Sequence, residues 1–265
     1  MSPTKRIDVR PAIGVGAQGR SPRRFVLLAQ PRSGSTLLTL ALKNHPDIRM
    51  WGELFNDESE ARQEAAHGRA WYHAGEDPVR YAEGMWTAER PWWPRAIGFK
   101  LLIPHCTEGS PGGLVIAWVR QNPDVYIVRL RRRDLLAACV SLELATRTGH
   151  WALPVEAASP PDHPTPIALS PSAVAGFFER TRVEDARLTA SLAANPVLDL
   201  EYERDLCASF RAATAKVAGF LGLPPAPLPR LLRKQATRPV REQVSNYPEL
   251  KTAFAGGPYA RFFDD

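Results

Sequence analysis

Six consecutive residues, Pro31-Arg32-Ser33-Gly34-Ser35-Thr36, place one permanent cation, three hydroxyls and a glycine between an apolar run, Phe25 to Ala29, and a stretch with helical spacing, Thr36 to Lys43. Those types in that order suit the capture of an anion. Glycine lets the backbone approach a ligand, and the small residues leave the first helical N–H groups uncovered. The helix N-terminus and Arg32 both attract negative charge, so a phosphate or sulfate is the expected guest.

A second constellation begins where the strand expected over Val125 to Leu130 runs into Arg131-Arg132-Arg133. Asp134 then stands as a helix N-cap, and Leu135, Leu136, Cys139, Val140 and Leu142 supply an apolar face. Ser141 follows Arg133 by eight residues, a little over two helical turns. Arg133 and Ser141 are therefore expected to face one ligand beside the carboxyl edge of a sheet. The third chemical group is Glu53, in Ile48 to Phe55, read as a brief strand that delivers its carboxylate near the anion loop. His45 and His105 are fallback bases.

The loop is not the nucleoside-triphosphate P-loop, because Ala29 stands where that motif has its first glycine and Ser35 where it has lysine. It resembles instead the 5′-phosphosulfate loop of sulfotransferases that use 3′-phosphoadenosine 5′-phosphosulfate (PAPS), matched at every position from Pro31 to Thr36. The Arg133 and Ser141 pair resembles the 3′-phosphate site of the same family. Arg132-Arg133-Asp134, Val140-Ser141-Leu142, Ala145, Thr148-Gly149 and Trp151 resemble the central block of bacterial carbohydrate sulfotransferases typified by trehalose 2-sulfotransferase.

The resemblance covers roughly residues 25 to 255 and implies sulfuryl transfer from PAPS to a hydroxyl, with the product 3′-phosphoadenosine 5′-phosphate (PAP) and no metal. It implies Glu53 as base and Arg32 as the catalytic cation. Nucleotide binding falls to Arg32, Ser33, Gly34, Ser35, Thr36, Arg133 and Ser141. The strand Val197 to Tyr202 with the helix after it resembles a late segment of the family and offers Tyr202 as an adenine contact or a half-buried strand tyrosine, and a weaker match over Leu231 to Tyr247 adds Lys234 or Arg238. The implied acceptor is a carbohydrate or glycosylated metabolite, for which Trp71-Tyr72 and Trp92-Trp93 offer flat apolar faces.

Alternating strands and helices, with both anion signals at strand-to-helix turns, predict an α/β fold with a mostly parallel sheet flanked by helices. A chain of 265 residues suits one such domain. The expected division is a basic, flexible arm over 1–24 and a single domain over 25–265. The 25 prolines exceed the usual share of about 5%; they cluster in loops, above all the long one at 154–171. Lys100, the one charge in the strand Ala96 to Ile103, either leans toward the site or reaches water from a strand end, and the second is the favoured expectation.

A net charge of +6 and a pI near 9.5 suit an anionic partner without choosing one. Nucleic acid is disfavoured, since the basic residues are not interleaved with aromatics. Three cysteines without metal-ligand spacing, no apolar run long enough to span a membrane and no secretory h-region predict a cytoplasmic protein without disulfides. An oligomer of identical chains is compatible with all of this. The competing readings are a P-loop kinase and a non-catalytic basic module for nucleic acid or acidic glycan.

Overall fold

Five apolar runs become strands: β1 (Arg23–Ala29), β2 (Ile48–Glu53), β3 (Ala96–Leu102), β4 (Tyr126–Arg131) and β5 (Val197–Glu201). In the computed structural model, which describes residues 21–55, 72, 75–87, 94–157, 165–235 and 238–264, they form one sheet in the order β2-β3-β1-β4-β5. Every pairing is parallel. The expected α/β architecture is thus the one observed. β1 lies at its centre, with β3 and β2 on one side and β4 and β5 on the other, so the strand order reverses beside the carboxyl end of β1. Ligands of open α/β sheets bind at such switch points.

Covering both faces of the sheet explains why its strands read as nearly unbroken apolar runs. Val26 and Leu28 of β1, with Ile97, Phe99 and Leu101 of β3, pack against α2 (Pro78–Thr87) and α3 (Pro111–Arg120). The alternate residues Phe25, Leu27 and Ala29 join Val128, Leu130 and Leu200 under α1 (Ser35–Lys43) and α6 (Phe210–Phe220). Each fully buried Leu, Ile or Phe contributes on the order of 1.5–3 kcal/mol. A third cluster joins α4 (Leu135–Thr148) and α5 (Pro171–Ser191) to the C-terminal helices α7 (Val240–Gln243) and α8 (Tyr247–Phe254).

Several boundaries move. Arg23 and Arg24 belong to β1 rather than to the arm, paired with Ala96 and Ile97. Their charge is accommodated at the strand start: the Arg23 guanidinium lies 5.3 Å from the Tyr126 ring centroid, and Arg24 forms an ion pair with Asp124. The rest of the expected arm, residues 1–20, lies outside the described residues, as do Trp71, Trp92, Trp93 and most of the insertion expected before β3. Asp134 caps α4 by accepting from the Ala137 N–H at 2.8 Å, and Gly149 closes it with φ 69°. The single helix expected over Asp205 to Leu221 is instead a π-helical turn, Tyr202–Cys207, followed by α6. The described ends of the proline-rich loop are tied down by bridges of Pro154 to Leu232 and Ile167 to Val244.

Candidate active site

Because β1 and β4 are neighbours, the turns that follow them lie side by side. Gln30 ends β1 and ties the two together: its N–H donates to Leu130 O at 3.1 Å, and its Oε1 accepts from the Arg132 N–H at 3.0 Å. Arg32 takes the left-handed conformation, φ 59°, which costs a non-glycine residue on the order of 1–3 kcal/mol. Gly34 is also left-handed, φ 80°, and a Cβ there would stand 2.8 Å from Cδ2 of Tyr202. Only glycine fits. No side chain caps α1, so its first turn keeps its N–H donors open beside the buried Ser33 and Ser35.

The turn after β4 is different. Asp134 caps its helix, and the Glu203 carboxylate accepts from the N–H groups of Arg133 at 2.9 Å and Asp134 at 3.3 Å. Its donors are filled by the chain's own carboxylates, while those of the first turn are not. Glu203 also accepts from Arg132 Nε at 3.3 Å, and Arg132 Nη1 donates to Arg32 O at 3.1 Å. The Arg132 guanidinium lies 5.1 Å from the Tyr202 ring centroid. Arg132 is therefore the brace between the two turns, with its own face on the tyrosine.

Arg32 reaches across this junction. Its Nε donates to Ser141 Oγ at 2.9 Å, its Nη1 to Trp151 O at 2.7 Å, and its Nη2 to Gln235 Oε1. All three acceptors are neutral. Burial and the neighbouring Arg132 charge push the Arg32 guanidinium down to about 10. A cation that loses water and gains a like-charged neighbour without a carboxylate is one that an anion would stabilise.

Ser141 meets Arg32, but Arg133 does not join them as its spacing suggested. Its side chain is exposed, and its nearest acid is Glu201 at 3.9 Å. Arg238 pairs with Glu242 at 3.2 Å and Lys234 is exposed; from this C-terminal segment it is Gln235 that touches Arg32. Gln235 gave no signal in the sequence. Gln30, the polar residue that follows the apolar run of β1, was not singled out either.

Glu53 lies close to the loop through one intermediary. From Met50 to Glu53 β2 spends three residues against the two from Gly98 to Lys100, and this bulge brings Glu53 opposite Lys100. Lys100 Nζ sits 2.9 Å from Glu53 Oε2 and 3.5 Å from Thr36 Oγ1. Lys100 is 3% exposed and Glu53 6%. The expectation that Lys100 reaches water is therefore wrong. It sits in mid-strand, on the face that carries α1, and the carboxylate offsets its burial. Of the fallback bases, His45 is buried and used up structurally, with Nδ1 accepting from the Asp47 N–H and Nε2 3.1 Å from Pro224 O. His105 stands with Nδ1 3.6 Å from Glu53 Oε1.

Comparison with known proteins follows the whole chain rather than the loop alone. The chain is similar to nodulation protein H. It is 29% identical to that protein of Rhizobium tropici over 248 residues, 92% of this chain and 94% of the relative. With that of Rhizobium meliloti strain 1021 it shares 29% over 252 residues, 92% and 96% of the two chains. No family model matches. Among solved structures, a sulfotransferase from Alicyclobacillus acidocaldarius superposes with a TM-score of 0.47 and 15% identity, covering 93% of this chain and 98% of that one. The sulfotransferase domain of the Synechococcus PCC 7002 olefin synthase gives 0.38 and 18%, covering 78% and 76%.

Among the described residues no group of His, Cys, Asp or Glu side chains could hold a metal ion, and no helix is long and apolar enough to cross a membrane. Cys106, Cys139 and Cys207 are free thiols.

Proposed function

We propose that the chain is a PAPS-dependent sulfotransferase acting on a hydroxyl of a carbohydrate or glycosylated metabolite. The observation that carries this reading is the meeting, at the switch point of the sheet, of an uncapped helix start, a half-buried Arg32 bonded to neutral acceptors, and Ser141 of the second motif. The nodulation protein H likeness along nearly the whole chain accords with it.

PAPS, when bound, supplies the sulfuryl group and departs as PAP. The residues of this chain suit such a donor: Ser33, Gly34, Ser35 and Thr36 would hold its 5′ end, with Arg32 beside them. Arg133 and Ser141 would hold the 3′-phosphate, Arg133 by a side chain free to swing and Ser141 by a hydroxyl already aimed into the junction. Backbone N–H groups and Arg32 favour the charge that grows on the leaving oxygen over that of the ground state, which is how fixed donors accelerate transfer. Thr36 connects this loop through Lys100 to Glu53, so basic charge for the acceptor hydroxyl lies two contacts away.

The test is thermal unfolding with PAP, ATP or a short oligonucleotide, followed by transfer from labelled PAPS to a panel of glycans. PAP at one hundred times its dissociation constant should add about 2.7 kcal/mol, or roughly 5–10 °C for a domain of this size. A shift with ATP or oligonucleotide but none with PAP sinks the reading.

A further inference from the structure

Two buried polar atoms near the loop face each other without a hydrogen-bond partner among the described residues. They are Glu53 Oε1 and His105 Nδ1, 3.6 Å apart. That separation is an ion-pair contact and too long for a hydrogen bond. An unpaired buried polar atom is costly, and catalytic hydrogen bonds are often long in a ligand-free site.

The placement of His105 is built into the fold. It ends the 3-10 turn Ile103–His105 that leaves β3 directly after Leu102. The start of α3 is pressed onto that turn: Ser110 Oγ donates to His105 O at 2.8 Å, and a Cβ on Gly112 would lie 2.4 Å from the same oxygen. Gly112 is what lets the helix come so close. Behind the turn, Arg187 of α5 donates to Cys106 O at 2.6 Å. The Glu53 carboxylate from β2 faces the ring, Lys100 from β3 pairs with that carboxylate, and the neighbouring Cys106 lies in the field of Arg187 and Glu184 from α5, with Ser110 on the backbone.

The two groups are not equally accessible. Glu53 is 6% exposed, with Oε2 committed to Lys100 and Oε1 shut away beside the ring. The His105 side chain is 36% exposed although its Nδ1 is buried. Nε2 has no hydrogen bond to the described residues, so on this half-exposed ring it is the basic atom of the group open to a ligand.

We propose that His105 Nε2 is the atom that takes the proton from the acceptor hydroxyl, and that Glu53 is the positioning residue behind it, holding Nδ1–H and balancing the imidazolium that forms. Lys100 fixes the other carboxylate oxygen. The logic is that of a carboxylate orienting a histidine base. The acceptor O–H bond breaks, its proton goes to Nε2, and its electron pair forms the new O–S bond. The old S–O bond breaks with its pair on the departing PAP. This assignment rests on the sulfotransferase reading.

The experiment is the pH profile of kcat for the wild-type chain, Glu53→Gln and His105→Gln with labelled PAPS, each first shown to give the wild-type thermal shift with PAP. His105→Gln should lower kcat by about a hundredfold, within the usual range for a lost base, and abolish the acid limb. Glu53→Gln should be slower but keep that limb. Imidazole should restore part of the rate to His105→Ala and none to Glu53→Gln. An acid limb that vanishes in Glu53→Gln and persists in His105→Gln makes Glu53 the direct base and overturns the assignment while leaving the sulfotransferase reading intact. Should Glu53→Gln fail to fold, an unchanged profile in His105→Gln overturns it alone. Absence of a PAP shift and of transfer in the wild-type chain overturns both.

Discussion

Arg32 Nε donates to Ser141 Oγ at 2.9 Å, so one guanidinium joins the turn after β1 to the second turn of α4. The two segments that the sequence assigns to opposite ends of a nucleotide are therefore in direct contact. On the proposed reading, an anion at either segment would meet the same side chain.

The first prediction concerns that fork. Lysine keeps the charge of Arg32 but cannot span Ser141, Trp151 O and Gln235 at once. Arg32→Lys is expected to weaken PAP binding at least about tenfold, or about 1.4 kcal/mol, and to lower the thermal midpoint of the free protein modestly through the lost hydrogen bonds. Calorimetric titration with PAP decides it; equal affinity in the two proteins would mean that charge alone matters.

A second prediction follows from Gly34, which is both left-handed and in contact with the Tyr202 ring. Gly34→Ala should cost about 1–2 kcal/mol for the backbone alone, with the clash added, and lower the midpoint by several degrees. Pairing it with Tyr202→Ala removes the clash but not the backbone cost. Complete recovery in the double variant would show that φ is not the constraint.

Much of this arrangement was legible beforehand because it is local. A strand, a glycine-bearing turn and a helix start are written in adjacent residues, and so are the Asp134 cap and the Gly149 stop. Lys100 was misread for a reason of the opposite kind. Whether a lone lysine in an apolar strand escapes to water or finds a partner depends on a carboxylate 47 positions away in the chain, brought opposite by a bulge in β2. Gln235 was invisible because its role comes only from where the C-terminal segment folds back. Arg133 was expected to face a ligand with Ser141 because of their eight-residue spacing, yet Arg132 took the inward place and left it at the surface.

The buried Lys100–Glu53 pair gives a third prediction. Lys100→Met leaves a carboxylate 6% exposed without its cation, a defect worth about 3–5 kcal/mol in buried pairs. Lys100→Met combined with Glu53→Leu should recover most of that loss, since neither charge then remains. Urea unfolding of the single and double variants measures it, and additive losses would show that the pair is not coupled.

Thiol reactivity separates the three cysteines. Burial pushes the Cys106 thiol up to about 12 and Cys139 up to about 11, so both stay protonated near neutral pH and react slowly. Cys207 is exposed. A disulfide reagent at about pH 8 should label one thiol per native chain quickly, and Cys207→Ser should remove that fast phase. Rapid labelling of two thiols would contradict the buried positions of the others.

Acid stability should hinge on Asp205. Burial alone would raise its carboxyl, but Arg204 at 2.7 Å, Lys216 at 2.6 Å and the Glu201 N–H at 2.8 Å together hold it well below the usual range. The unfolded chain binds this proton near pH 3.9, whereas the folded chain resists it. The carboxylate therefore contributes its full stability above about pH 5, and the contribution drains away as the pH falls below about 4, where the unfolded state takes up the proton first. Asp199, lowered by its hydrogen bonds and charge contact with Arg129, adds in the same direction. Asp205→Asn should lower the urea midpoint at pH 7 and flatten its fall between about pH 5 and 2. Parallel curves for the two proteins over that range would place the acid sensitivity elsewhere.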